Sequence, residues 1–309
     1  MIKKVFKSIV AVGSTAIDGM SNHGVFNFAA SMAFYTIFAL PGLLITVTVI
    51  GGLFIDQAQL ETELILQLQR FIGKGPAETV GEVLNKVEPL QDTFWKTAFG
   101  VGTLIFSATT IFVTLQEALN RIWDVRATPK RGYVKYLINR ILSLGMMLSL
   151  GFVLLVSLLL DSLLQMFFDS IEKATGGEPV FWLEVINNVV GLGIMFLVVY
   201  LIFKMLPDVK LKWKDISLAA LITTAMLFLG KFLIGQYLRS SDFSQTYDAA
   251  GSVIVILMWV YYSTLVLLMG AEITRAIMLY RRVPIRPSDG AKKIKIQEMD
   301  YDEYESMMY

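Results

Sequence analysis

Residues 251–273 read GSVIVILMWVYYSTLVLLMGAEI and carry no charge before Glu272. At 1.5 Å rise per residue, a helix of this length covers about 35 Å, enough to cross a bilayer's hydrocarbon layer of about 30 Å. Five other stretches are comparably apolar and bounded by charges: Ala29–Ile55, Thr97–Thr114, Ile141–Leu160, Val185–Phe203 and Ile216–Ile234. A membrane β-barrel would alternate apolar and polar residues over segments of about ten, and runs such as FVLLVSLLL and MFLVVYLIF do not alternate. With 55% apolar and only 17% charged residues, the chain is also more apolar than the roughly 45–50% of a soluble domain. The fold class expected is an all-α membrane protein with six transmembrane helices.

Direction follows from lysine and arginine, which are retained in cytoplasmic loops. The amino terminus (Lys3, Lys4, Lys7), residues 121–140, residues 204–214 and the segment Arg275–Lys295 together hold 20 of the 27 basic residues. The three alternate loops hold five, namely Arg70, Lys74, Lys86, Lys173 and Arg239. Both termini are therefore expected in the cytoplasm, in a bacterial inner membrane.

Outside the six-helix domain (29–275) lie two further segments. Residues 1–28 do not read as a cleavable signal; Ile2, Val5, Phe6, Ile9, Val10, Ala16, Ile17 and Met20 recur at helical spacing, as in an amphipathic helix lying on the membrane, an ordinary packed helix being the alternative. Residues 276–309, highly charged after Pro287, read as a disordered cytoplasmic tail. The loop 56–94 carries Leu60, Leu64, Leu68, Phe71, Val80, Val83 and Val87 at helical spacing, which predicts two short helices over the outer face.

Three segments carry a resemblance. FNFAASMAFYTIFALPGLL (26–44), LQEALNRIWDV (115–125) and YDAAGSVIVILMWVYYSTLVLLMGAEITRA (247–276) resemble signatures of the YihY/BrkB family, formerly labelled ribonuclease BN. The likeness covers about residues 20–280. It implies a six-helix bacterial inner-membrane protein and no settled biochemical activity.

Two polar groupings are candidates for chemistry. Lys231, deep in the fifth stretch, has side-chain geometry that leans toward the helix amino terminus and away from the nearer surface. An intramembrane charge needs a partner or a watery cavity, and Asp161, Gln165, Asn187 and Asn188 fall at its depth. Pro41, mid-way along the first stretch, predicts a kink that exposes backbone groups to such a pathway, although packing alone also explains it. At the inner end, Gln116 and Asn120 share a helix face, and Glu272 leans back into the bilayer where Arg275 or Arg121 could neutralise it as a gate or a helix-end ion pair.

The absence of cysteine excludes thiol chemistry, and the single histidine, His23, excludes sites that need two imidazoles. Glu117, Asp124, Asp208 and Asp215 read as solvated interfacial charges rather than a nuclease cluster. The expectation is a protein without enzymatic activity, cofactor, metal or specific nucleic-acid partner. It is expected to transport or export a small or amphiphilic solute among membrane lipids, the alternative being a lipid-handling scaffold.

Overall fold

The computed structural model describes residues 2–51, 94–128, 180–240 and 243–294, with isolated helical residues at 62, 65, 66, 69, 77, 78, 80 and 81. This part is mostly helical: α1 (Ile2–Asn22), α2 (Val25–Gly51), α3 (Phe94–Ile122), α4 (Val180–Met205), α5 (Trp213–Ser240) and α6 (Phe243–Tyr280). Two antiparallel ladders join β1 (Val125–Ala127) to β4 (Ala291–Lys293) and β2 (Val209–Lys210) to β3 (Arg286–Pro287). Each ladder has two strands, so neither closes into a barrel.

Among the described residues, Trp213–Ile234 and Val253–Tyr280 are long and apolar enough to cross a membrane, and Val25–Ala39 and Val189–Met205 form shorter apolar helices. The stretch Thr97–Thr114 lies in α3. The expected third stretch, Ile141–Leu160, lies outside the described residues, as does most of loop 56–94.

α6 is the hub, touching α1, α2, α3 and α5; α3 packs along α2, and α4 along α5. The approach of α5 to α6 is set by two glycines. A Cβ at Gly270 would collide with the Thr223 hydroxyl, and one at Gly230 with the Tyr262 ring, whose hydroxyl donates to the Met226 carbonyl at 3.1 Å. The buried core gathers at one end, where Leu119, Ile122 and Trp123 meet Leu206, Ile216, Leu268 and Ala271. Along the flanks Phe34, Phe38, Phe228, Leu229 and Phe232 stand exposed, a distribution water penalises and lipid does not.

Two expectations change. α1 is packed rather than merely lying on a surface: Ala16, Gly19 and Met20 are buried, α1 contacts α6, and Ser8 Oγ lies 2.7 Å from the Tyr280 hydroxyl. Val10 and Ile17 remain exposed on its other side. The segment after residue 275 is ordered through Ile294: α6 continues to Tyr280, and the chain then forms β3 and β4. Composition hides this because the order comes from backbone pairing with β2 and β1 and from Val283 and Ile285 packing on the core. Residues 295–309 lie outside the described part.

Candidate functional site

The end of the bundle that holds the core also carries the described parts of the basic segments 121–140, 204–214 and 275–295, and the α1–α2 turn, the end of α3, α6 and β4 converge there on one buried polar knot. α1 stops at a turn in which Gly24 has φ 68° and the His23 amide donates to the Gly19 carbonyl, so the only histidine is carried on a short link between two helices. α3 ends at Ile122, and in the turn that follows Asp124 has a left-handed φ of 50°, a conformation aspartate tolerates better than most residues. Ile294 donates its amide to the Asp124 carbonyl at 2.9 Å, fixing that corner to β4. Glu272 and Arg275, three apart on α6, present their side chains to the same side.

His23 bridges two carboxylates. Its Nδ1 is 2.5 Å from Glu272 Oε1, and its Nε2 is 3.5 Å from Asp124 Oδ1. Arg275 donates to Asp124 Oδ2 at 2.7 Å, and Lys293 Nζ donates to the Trp123 carbonyl at 2.8 Å while standing 3.5 Å from the same carboxylate oxygen. Burial disfavours the imidazolium and Arg275 repels it, but the hydrogen bonds of Asp124 and Glu272 and the Glu272 charge outweigh both, raising the His23 pKa above its ordinary value. Burial likewise works against the Asp124 carboxylate, yet His23, Arg275 and Lys293 hold its pKa well below the usual range.

The knot is only partly satisfied. Glu272 is 0% exposed, and its second oxygen, Oε2, has no hydrogen-bond partner among the described residues; nor has Arg275 Nε. A Cβ at Gly19 would collide with that same carboxylate, so α1 can sit here only because residue 19 has no side chain.

The inner candidates therefore divide. Glu272 is partnered by His23, not by Arg275 or Arg121; Arg275 serves Asp124, and Arg121 is exposed. Asn120 belongs to a separate clasp, donating to Asp208 Oδ2 at 2.8 Å and accepting the Asp208 amide at 2.7 Å. Gln116 is half-buried on the same helix. Asp124 and Asp208, read from the sequence as solvated, are instead tied into side-chain bonds, because the strands and the α1–α2 turn fold over them. Sequence reading passes over His23 and Lys293; the sole imidazole of the chain, next to a glycine at a helix break, is the available signal.

Of the outer candidates, Lys231 is half-buried on α5. Pro41 lies inside α2, which continues through it, and Asn187 and Asn188 lie inside α4; the side chains of these three fall outside the described part. Asp161 and Gln165 also lie outside the described residues.

The sequence profile described as virulence factor BrkB matches residues 16–295. An Alcanivorax borkumensis protein named UPF0761 membrane protein is 26% identical over 291 residues, covering 90% of this chain and 64% of its own length. A UPF0761 membrane protein of Xanthomonas campestris pv. campestris is 25% identical over 263 residues, covering 84% and 59%. The chain thus spans about three fifths of the length of these relatives. No solved structure matches.

Proposed function

The chain belongs to the virulence factor BrkB family of membrane proteins, and from that premise we propose that it is a six-helix inner-membrane transporter of a small or amphiphilic solute, gated at its cytoplasmic end by the His23–Glu272–Asp124–Arg275 knot. The observation that carries this reading is the buried Glu272 carboxylate, paired to a titratable imidazole through one oxygen and unpartnered at the other among the described residues. A purely structural ion pair gains from satisfying every buried atom, since each orphan costs about 1–3 kcal/mol. A contact that must open and close gains from being incompletely held. The site opposite the gate is assigned to Lys231 with Asp161, Gln165, Asn187, Asn188 and the Pro41 region. The basic segments face the cytoplasm, so both termini do.

No enzymatic step is assigned. The carboxylates Asp124 and Asp208 are engaged by side-chain partners, which supports a structural role over nuclease chemistry. Weak RNA binding to the basic end is expected from counterion release alone.

The chain has no cysteine, so single cysteines can be introduced without removing native ones. In sealed vesicles, a cysteine replacing Gln116 should react with a membrane-impermeant maleimide from the cytoplasmic side, faster when His23→Gln weakens the knot. A cysteine replacing Lys231 should react from the opposite side. Labelling at 231 from neither side, unaffected by His23→Gln, would replace the transporter by a lipid scaffold. Reporter fusions after Arg131 and Lys212 should read as cytoplasmic and those near Lys74 and Lys173 as external.

A further inference from the structure

Away from the knot, a groove of about 320 Å³ opens between the end of α6, the β2–β3 ladder and the start of α5. It is lined by the polar side chains of Lys210, Lys212, Asp215 and Arg286 and by the apolar ones of Met278, Val283 and Pro284. We propose that this groove binds the headgroup of an anionic phospholipid, with the phosphate between Lys212 and Arg286 and the first acyl carbons against Met278 and Val283.

Three observations carry the assignment. The first is level: Lys212 immediately precedes the apolar stretch Trp213–Ile234, and Met278 lies two residues before the end of Val253–Tyr280. The groove therefore sits where two membrane-length helices leave hydrocarbon, which is the level of lipid headgroups. Trp213, 63% exposed with Lys214 Nζ 5.7 Å from its ring, marks the same level as an interfacial anchor. The second is charge. Three cations face one carboxylate, and Lys210 is engaged by Asp289 at 2.9 Å, so the phosphate falls to Lys212 and to Arg286, whose planar guanidinium matches a phosphodiester. The third is the mixed lining: apolar side chains beside cationic ones suit an amphiphile better than a free phosphate. Asp215 accepts from a headgroup hydroxyl, which favours glycerol over choline.

The proposal rests on this end of the bundle meeting a membrane surface, which is part of the reading above. The full chain is purified with mixed lipids, stripped progressively, and the lipids still bound are weighed by native mass spectrometry. Phosphatidylglycerol should be retained over phosphatidylcholine by about tenfold or more, taking about fivefold per cation near an anionic surface. Lys212→Ala/Arg286→Ala should abolish that preference, and Lys214→Ala, on the same end but outside the groove, should leave it. Should the alanine pair fail to fold, Lys212→Gln/Arg286→Gln keeps the stems and tests the same charges. Equal retention of the two lipids by the natural protein, or a preference that survives in the folded double variant, would overturn the proposal, as would equal binding of soluble glycerol phosphate. Purified protein exposes both faces, so an inverted reporter topology would sink the membrane orientation while leaving this result readable.

Discussion

Glu272 and Lys231 are both charges within long apolar helices that pack side by side, yet their surroundings differ. Glu272 is fully enclosed: His23 of the α1–α2 turn pairs with one carboxylate oxygen, Gly19 of α1 closes on the other, and His23 is in turn held by Asp124 at the end of α3, which Lys293 of β4 approaches. Lys231 is half-buried on a helix whose Phe228, Leu229, Phe232 and Leu233 are exposed. The difference teaches that depth along an apolar stretch does not fix the environment of a charge; what fixes it is which other segments fold over that position.

The contrast breaks most directly at Glu272. Removing one partner of a buried pair leaves the others uncompensated, typically at about 3–5 kcal/mol. Glu272→Ala should therefore lower the thermal midpoint in detergent more than any other single change at this end, and Glu272→Gln should recover part of the loss. A silent Glu272→Ala would erase the distinction between the two charges.

Gly19 sharpens the same comparison with a smaller effect. Gly19→Ala adds helix propensity but drives a methyl group into the Glu272 carboxylate, and overpacking costs about 1–3 kcal/mol. The expected sign is destabilising, with α1 displaced from α6. Crosslinking of cysteines replacing Ser8 and Tyr280 by a short bifunctional maleimide should be slower in the variant, because the hydroxyls of the two natural side chains lie 2.7 Å apart only while α1 stays against the end of α6.

These two cases also mark what the sequence made legible. The apolar stretches announce themselves because membrane helices require uninterrupted apolar length, and the described helices α2, α3, α4, α5 and α6 each contain most or all of one. Glu272 and Asn120 are legible as polar residues at the basic ends of apolar stretches. Their partners are not, because His23 and Glu272 are 249 residues apart, and Asn120 and Asp208 are 88 apart. No local spacing rule reaches such pairs. The order in the tail escapes for a related reason: two- and three-residue strands leave no periodic signature, and what holds them is backbone partners elsewhere.

A third test uses pH. Because the folded pKa of His23 is raised above 6.5, its contribution to stability is complete below that value and is lost as pH rises through the raised one. Asp124, held low, stays ionised throughout and loses its contribution only in acid. The charged groups around the imidazole are Glu272, Asp124, Arg275 and Lys293. The thermal midpoint should fall as pH rises from about 6 to about 9, each tenfold gain in proton affinity on folding being worth about 1.4 kcal/mol. His23→Gln should flatten the profile, whereas Lys231→Met should leave it intact.

The smallest expected effect on stability belongs to Lys231, and it bears most on function. Methionine preserves the stem and its packing while removing the charge, so Lys231→Met should shift the unfolding free energy by no more than about 0.5 kcal/mol. If the ammonium serves a polar pathway, the same variant should abolish the opposite-side reactivity of cysteines placed at Asn187 or Asn188, because an uncharged side chain no longer keeps that region hydrated. Stability and accessibility then separate, whereas disrupting the knot at Glu272 should lower stability and speed labelling at residue 116 together. A Lys231→Met variant that keeps full labelling at both asparagines would assign Lys231 to the lipid interface and leave the His23–Glu272 knot as the remaining candidate for a moving part.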